Sequence, residues 1–349
     1  MLSKIGFGSL VLSLSMYAAC SPSDYSDFEF ADTQQSSLLD NGVELNGLKQ
    51  NGLKQNGLKQ NGLKQNGIGL HIASIIDGLI TAVADADLSI SFSSSQLSQT
   101  IIDADLENGD TTKFRIDSVS YSASLGTNLY FLSNWNPTTA TWDSACGIDP
   151  TGTYAPAGTL IPAVAFSDTW NLVDGANLTD PDKFTFSCVN AAIGKCVVWG
   201  YKRWANQQEC NGASCKTQDL AFFHQACTRL VRADYCGDGK YHTRNGTAID
   251  VYDNLNIQTR DGVGGNSLEA DWRYDGAHCL RHTRWSKADP TTDTAYATDL
   301  AYVTATCPSR LASNDASCAD PNASHFFKAN GFNDSLADRV VLRNESYMH

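Results

Sequence analysis

Residues 217–236 read TQDLAFFHQACTRLVRADYC. Leu220, Phe223, Cys227, Leu230 and Val231 recur at helical spacing, which predicts a helix over Thr217–Arg232 with one apolar face. Thr217 is placed to cap its start, and Asp219 favours the positive end of the helix dipole. Arg229 and Arg232 favour the negative end. Cys227 falls on the apolar face, so it reads as a structural cysteine with Cys236 as a close partner. Cys236-Gly237-Asp238-Gly239 then breaks the helix, and His242–Val251 predicts a hairpin around Asn245-Gly246.

Outward from this helix the chain reads as β-rich. Strand-like runs lie at Leu88–Phe92, Phe114–Val119, Leu129–Leu132, Thr159–Phe166 and Lys183–Cys188, separated by Gly, Asn, Asp and Pro clusters. Ile72–Asp85 suits a short helix through Ile72, Ile75, Ile76, Leu79, Ile80 and Val83, although Gly78 inside it costs about 1 kcal/mol against Ala. The expected fold is α+β and β-rich, a disulfide-stabilised globular region over residues 71–349. A signal peptide, a disordered tether and a short pentad repeat precede it.

The leader is read at residues 1–19. Lys4 precedes an apolar stretch, Ile5–Met16, that is shorter than the about 20 residues of a membrane-spanning helix. Tyr17-Ala18-Ala19-Cys20 resembles a bacterial lipobox, with Tyr17 where Leu is usual. This makes Cys20 the candidate lipidation site and the membrane the first expected partner; ordinary cleavage without lipid is the alternative. Ser21 after the cysteine favours the outer membrane or cell surface. Residues 20–40 are polar and read as a tether. In residues 41–70 Asn-Gly recurs every five residues, four times as NGLKQ. A pentapeptide-like solenoid and a flexible spacer both fit, and an irregular or partly stacked spacer is favoured because so few units could stack.

Ten further cysteines follow Cys20: Cys146, Cys188, Cys196, Cys210, Cys215, Cys227, Cys236, Cys279, Cys307 and Cys318. An even number behind a leader fits a disulfide framework in an oxidising compartment. Short-range pairing would join Cys188 to Cys196, Cys210 to Cys215, Cys227 to Cys236 and Cys307 to Cys318, leaving Cys146 for Cys279; about 945 pairings exist in all. No CxxC occurs, so zinc spacings are missing. The formal charge of −13 opposes binding to nucleic acid or to anionic lipid.

The segment Cys227–Asp253 (CTRLVRADYCGDGKYHTRNGTAIDVYD) resembles the signature of the ADYC domain family, named for the tetrad Ala233-Asp234-Tyr235-Cys236. Phe184–Val197 (FTFSCVNAAIGKCV), Trp199–Trp204 (WGYKRW), His224–Cys227 (HQAC) and, more loosely, Trp142–Gly147 (WDSACG) also match. The resemblance spans about residues 110–330. It implies an exported setting and no particular reaction.

Candidate chemistry gathers near this signature. Asp234, His242 and His278 are the candidate catalytic set for an exported hydrolase, since an Asp and a His can form an acid–base pair. Asp238 and Asp250 are further carboxylates. His278 and His282 are four apart but lack the Glu of HExxH, and Asp238 lacks the other ligands of a calcium loop, so no metal is expected. His224 and Cys227 could form a nucleophile pair only if that thiol were free. No GxSxG, P-loop or GxGxxG motif is present, and no cofactor is implied. Trp199, Trp204, Trp272 and Trp285 could stack on a glycan, but packing beside cysteines explains them as well. The leading expectation is an anchored lipoprotein that binds a protein or glycan ligand or scaffolds the envelope.

Overall fold

The computed structural model describes residues 38–40, 58–59, 61–105, 111–171, 173–243, 248–262, 266–284, 295–313 and 335–347. The leader, Cys20 and most of the tether and repeat lie outside these residues, as do Asn245-Gly246, Trp285 and Cys318.

The first strands are β1 (Leu38–Asp40), β2 (Leu58–Lys59), β3 (Asn61–Gln65), β4 (Ile68–Ile76), β5 (Leu79–Ala84), β6 (Ser91–Ser93), β7 (Ile101–Asp105) and β8 (Thr111–Ser122). Then come β9 (Thr127–Asn136), β10 (Thr141–Ser144), β11 (Ala163–Phe166), β12 (Asp168–Trp170), β13 (Asn177–Thr179) and β14 (Lys183–Cys188). Helix α1 (Ala192–Val198), β15 (Asn206–Asn211), β16 (Ser214–Asp219) and α2 (Leu220–Arg232) follow. The chain closes with β17 (Ala248–Asp253), β18 (Asn266–Arg273), β19 (Gly276–Leu280), α3 (Ala295–Thr306) and β20 (Leu342–Tyr347).

Among the described residues β2–β11 and β14 build an eleven-stranded antiparallel sheet, in the order β2-β14-β11-β9-β8-β7-β3-β4-β5-β6 with β10 on β9. A second sheet runs β1-β17-β20-β18-β19. The helices lie between them: α1 contacts β14 of the large sheet, and α2 contacts α1 on one side and β18, β19 and β20 on the other. This is a β-rich domain with few helices, and no described helix is long and apolar enough to cross a membrane.

The sandwiched position explains why α2 departs from the one-faced helix expected of it. It is buried nearly all round, with His224, Gln225, Thr228, Arg229 and Arg232 covered as fully as Leu220 and Phe223. It also starts later than Thr217, which lies in β16; the cap is Asp219, whose side chain accepts from the Ala221 N–H at 2.8 Å.

Ile72–Asp85 is not a helix. It is the hairpin β4–β5, turned at Asp77-Gly78 with φ of 53° and 73°. Two consecutive positive φ values are what a two-residue hairpin turn of right-handed twist demands, and Asp-Gly supplies them at little cost. The apolar doublets Ile75-Ile76 and Leu79-Ile80 flank the turn and mimic helical spacing. The buried positions Leu70, Ile72, Ile80, Ala82 and Ala84 alternate as in strands, while Ile76 and Leu79 at the tip are exposed. Part of the repeat also enters the sheet. Asn66-Gly67 turns β3 into β4, and the repeat residue Leu63 is buried against Ile102 and Leu70. Over residues 61–70 the chain is therefore sheet and not spacer.

Lys183–Cys188 is strand β14, and Phe114–Val119 and Leu129–Leu132 lie inside β8 and β9. Only the ends of Leu88–Phe92 and Thr159–Phe166 are strand. The hairpin expected at His242–Val251 does not form as drawn: His242 and Thr243 are not strand, and β17 pairs with β1 and β20.

The disulfides are Cys146–Cys188, Cys196–Cys227, Cys210–Cys215 and Cys236–Cys307, and Cys279 is disulfide-bonded too. Only Cys210–Cys215, directly opposed across β15 and β16, agrees with the short-range scheme. Cys188 ends β14 and meets Cys146 just beyond β10, while Cys196 faces Cys227 where α1 crosses α2. The Cys227–Cys236 staple fails because Cys227 points to α1 while Cys236 lies past the helix end.

Candidate functional site

The tetrad Ala233–Cys236 forms the corner where α2 ends. Ala233 sits in the left-handed region with φ 51°, ψ 43°; its N–H bonds to Leu230 O and that of Asp234 to Arg229 O. This is the Schellman pattern, with alanine where glycine is usual. The Asp234 carboxylate, fully buried, accepts from Arg229 Nη1 at 2.5 Å and from the Gly239 N–H at 3.2 Å, with Arg232 Nη1 at 3.8 Å. Burial pushes the Asp234 carboxyl up, against the pull of Arg229 and then Arg232. Burial likewise lowers Arg232 to about 10.

Tyr235 is buried between His242 and Trp272, with ring centroids 5.6 and 5.5 Å away. Its hydroxyl donates to Glu269 Oε1 at 3.2 Å and accepts from the Arg284 N–H at 2.8 Å. Arg284 and Glu269 form an ion pair with both side chains fully buried. The Arg284 guanidinium directs five donors to Glu269 Oε1 and Oε2, Leu230 O, Val231 O and Thr243 Oγ1. Two of those acceptors are last-turn carbonyls of α2, groups that have no partner within the helix. Neither residue stood out in the sequence, because a lone Glu and a lone Arg carry no spacing signal.

The other candidates have separate partners. His242 Nδ1 lies 2.8 Å from Asp299 Oδ1, and the ring packs on Tyr235 and Tyr302. His278 lies half-buried on β19. Among the described residues no hydrogen bond or ion pair joins any two of Asp234, His242 and His278. His282 contacts Ser267 Oγ at 3.0 Å. Asp250 accepts from the Asp261 and Gly262 N–H groups, and Asp238 from the Tyr302 hydroxyl. Among the described residues no group of three His, Cys, Asp or Glu is placed to hold a metal ion. Trp199 and Trp272 are buried and Trp204 is half-buried, so these three form no exposed stacking groove.

Cys227 is disulfide-bonded, which removes it as a nucleophile. Its neighbour His224 is fully buried beside Phe166 and Trp170, with Nε2 3.0 Å from Ile193 O. Burial, and then the charge of Arg203, depresses its pKa to about 3. Unfolded His titrates near 6.5, so the unfolded chain takes up a proton that the folded one refuses. The stability His224 contributes is complete above about pH 6.5 and is lost as pH falls toward 3. Between pH 8 and pH 5 this one residue is expected to remove about 2 kcal/mol. Urea titrations of wild type and His224→Gln at both pH values check it, and an equal pH dependence in the two would refute it.

Beside the tetrad lies an open cleft of about 490 Å³, the size of a small-molecule site. Buried Arg229 and Gln225 form its floor, and Asp174, Asp219, Phe222 and Tyr274 surround its mouth. The two rings meet edge to face at 5.7 Å. Gly237, at φ 71°, also lines it; a Cβ there would come within 1.7 Å of Asp275 O, so only glycine lets the two turns touch. A smaller cleft of about 250 Å³ adjoins it, sharing Arg203, Asp219 and Ala221. Sequence reasoning missed this cleft, because β12–β13, Arg203, helix α2 with Asp219, Gly237 and the β18–β19 turn build it from segments far apart in the chain.

No curated protein and no solved structure matches the chain. The ADYC domain pattern matches residues 94–286, somewhat earlier at both ends than the 110–330 span expected. That match takes in strands of the large sheet, both central helices and β17–β19, with the tetrad at the corner between the layers. By this match over more than half its length, the chain belongs to the ADYC domain family.

Proposed function

We infer that this protein is exported and held to the outer membrane or cell surface by a lipid on Cys20, and that its ADYC domain is a binding module working through the cleft beside the tetrad. The observation that carries the reading is the use of buried Asp234 and Tyr235 and of disulfide-bonded Cys236 as structural contacts next to an open cavity. The motif stands behind the cleft, holding the lining residue Arg229 through Asp234 and leading into the lining residue Gly237, and its side chains are taken up by these structural contacts. The disulfides support export, since such bonds persist in oxidising compartments. The hydrolase alternative has less support, because Asp234 and His242 are held by Arg229 and Asp299 and not by each other.

Two measurements test the two halves. Cells grown with radioactive palmitate should label the wild-type protein and not Cys20→Ala; no label, or label that persists in the variant, sinks the anchor. A dialysable fraction of envelope extract should raise the melting temperature of the exported protein and not that of Ala221→Trp, which fills the cleft from a half-exposed lining position. An equal shift in both proteins, or none in either, sinks the binding role.

A further inference from the structure

The cleft has an uneven charge. At its floor Arg229, 3 % exposed, is paired with the buried carboxylate of Asp234, which lies behind the lining together with Arg232. Arg229 is thus the cation that the floor presents to the cleft. Arg229 Nη1 is occupied by Asp234 and Asp174 O, but its Nε, buried, meets no acceptor among the described residues. A buried donor without an acceptor is costly and uncommon.

The mouth is the opposite. Asp174 and Asp219 each accept one backbone N–H, from Ala176 and Ala221, and neither has a cationic partner among the described residues. The other charges of the wall are neutralised. Arg203 binds Asp168 at 2.6 Å and Asn177 at 2.5 Å, and Asp275 binds Arg310 at 3.1 Å. Beside these carboxylates stand the rings of Phe222 and Tyr274.

Resting on the binding role above, we propose that the cleft takes a zwitterionic amino compound, a free amino acid or a short peptide with an apolar side chain. Its carboxylate lies toward Arg229, its ammonium toward Asp174 and Asp219, and its side chain against Phe222 and Tyr274. The buried guanidinium supplies charge-assisted donors for a carboxylate. The two carboxylates at the mouth suit an ammonium. A molecule carrying only one of the two charges leaves one end of the cleft unanswered.

Calorimetry on the exported full chain tests this with L-phenylalanine, L-alanyl-L-phenylalanine, L-phenylalaninamide and N-acetyl-L-phenylalanine. At least one of the two zwitterions should bind, and the best of them at least tenfold more tightly than the amide or the acetyl form. Asp174→Asn/Asp219→Asn retains an N-cap residue at 219. It should weaken the zwitterion at least tenfold and leave the acetyl compound unchanged. Equal binding of blocked and unblocked forms overturns the zwitterion assignment and leaves a binding cleft. If no probe binds at millimolar concentration while envelope extract still stabilises the wild type and not Ala221→Trp, the ligand class is wrong and the binding role stands. If neither probe nor extract acts, both readings fall.

Discussion

Glu269→Ala is expected to cost about 3–5 kcal/mol, a large share of the about 5–15 kcal/mol that holds a domain folded. Glu269 is the carboxylate facing Arg284, and both are fully buried. Removing it strands a guanidinium without solvent or counter-charge and takes an acceptor from the Tyr235 hydroxyl. The damage should reach α2, because the same guanidinium satisfies the Leu230 and Val231 carbonyls at its end. Glu269→Gln keeps the volume and one acceptor and should cost less. Burial opposes ionisation of Glu269, yet Arg284 holds its pKa below the ordinary glutamate value. The stabilising effect is therefore present above about pH 4.3, the unfolded value, and fades as pH falls through the lower folded one. Urea unfolding at pH 7 measures the difference; a loss under about 1 kcal/mol for the alanine variant would mean that the pair contributes little.

Losing the Cys236–Cys307 bond is the second large effect. The cysteines are 71 residues apart, and releasing a loop of that length from the unfolded chain costs about 4 kcal/mol in the chain-entropy account. Cys210–Cys215, only 5 residues apart, should matter about half as much. The double variants Cys236→Ala/Cys307→Ala and Cys210→Ala/Cys215→Ala give the comparison by urea midpoint. Equal losses would refute the dependence on loop length. Proteolysis without reductant should yield linked peptides carrying Cys146–Cys188, Cys196–Cys227, Cys210–Cys215 and Cys236–Cys307. A Cys227–Cys236 linkage would contradict the fold itself, since it would detach α2 from α1.

The two bonds on Cys227 and Cys236 also change what the ADYC signature means. Every residue of the tetrad has a structural role. Ala233 closes the helix, Asp234 holds two arginines, Tyr235 reaches the Arg284–Glu269 pair, and Cys236 ties the corner to the segment after α3. The corner sets Arg229 and Gly237 in the lining of the cleft, and the function proposed for the cleft depends on that placement.

Features that depend on neighbours along the chain are readable from the residues alone. The helical spacing after Leu220, the alternation in Lys183–Cys188, the Cys210–Cys215 pair and the ADYC signature are all local, and all are legible. The hairpin at Asp77-Gly78 is local too, but paired apolar residues on both sides of the turn imitate a helix, and only sheet pairing separates the two. Packing in three dimensions settles the rest. Cys196 meets Cys227 because α1 crosses α2, and Glu269 meets Arg284 because β18 lies under the helix end. Asp174, Asp219, Arg229 and Tyr274 share one cleft because strands, helix and turn converge there. Spacing along a chain carries no distance once the chain has turned back, so partners brought together only by packing leave no mark in the sequence.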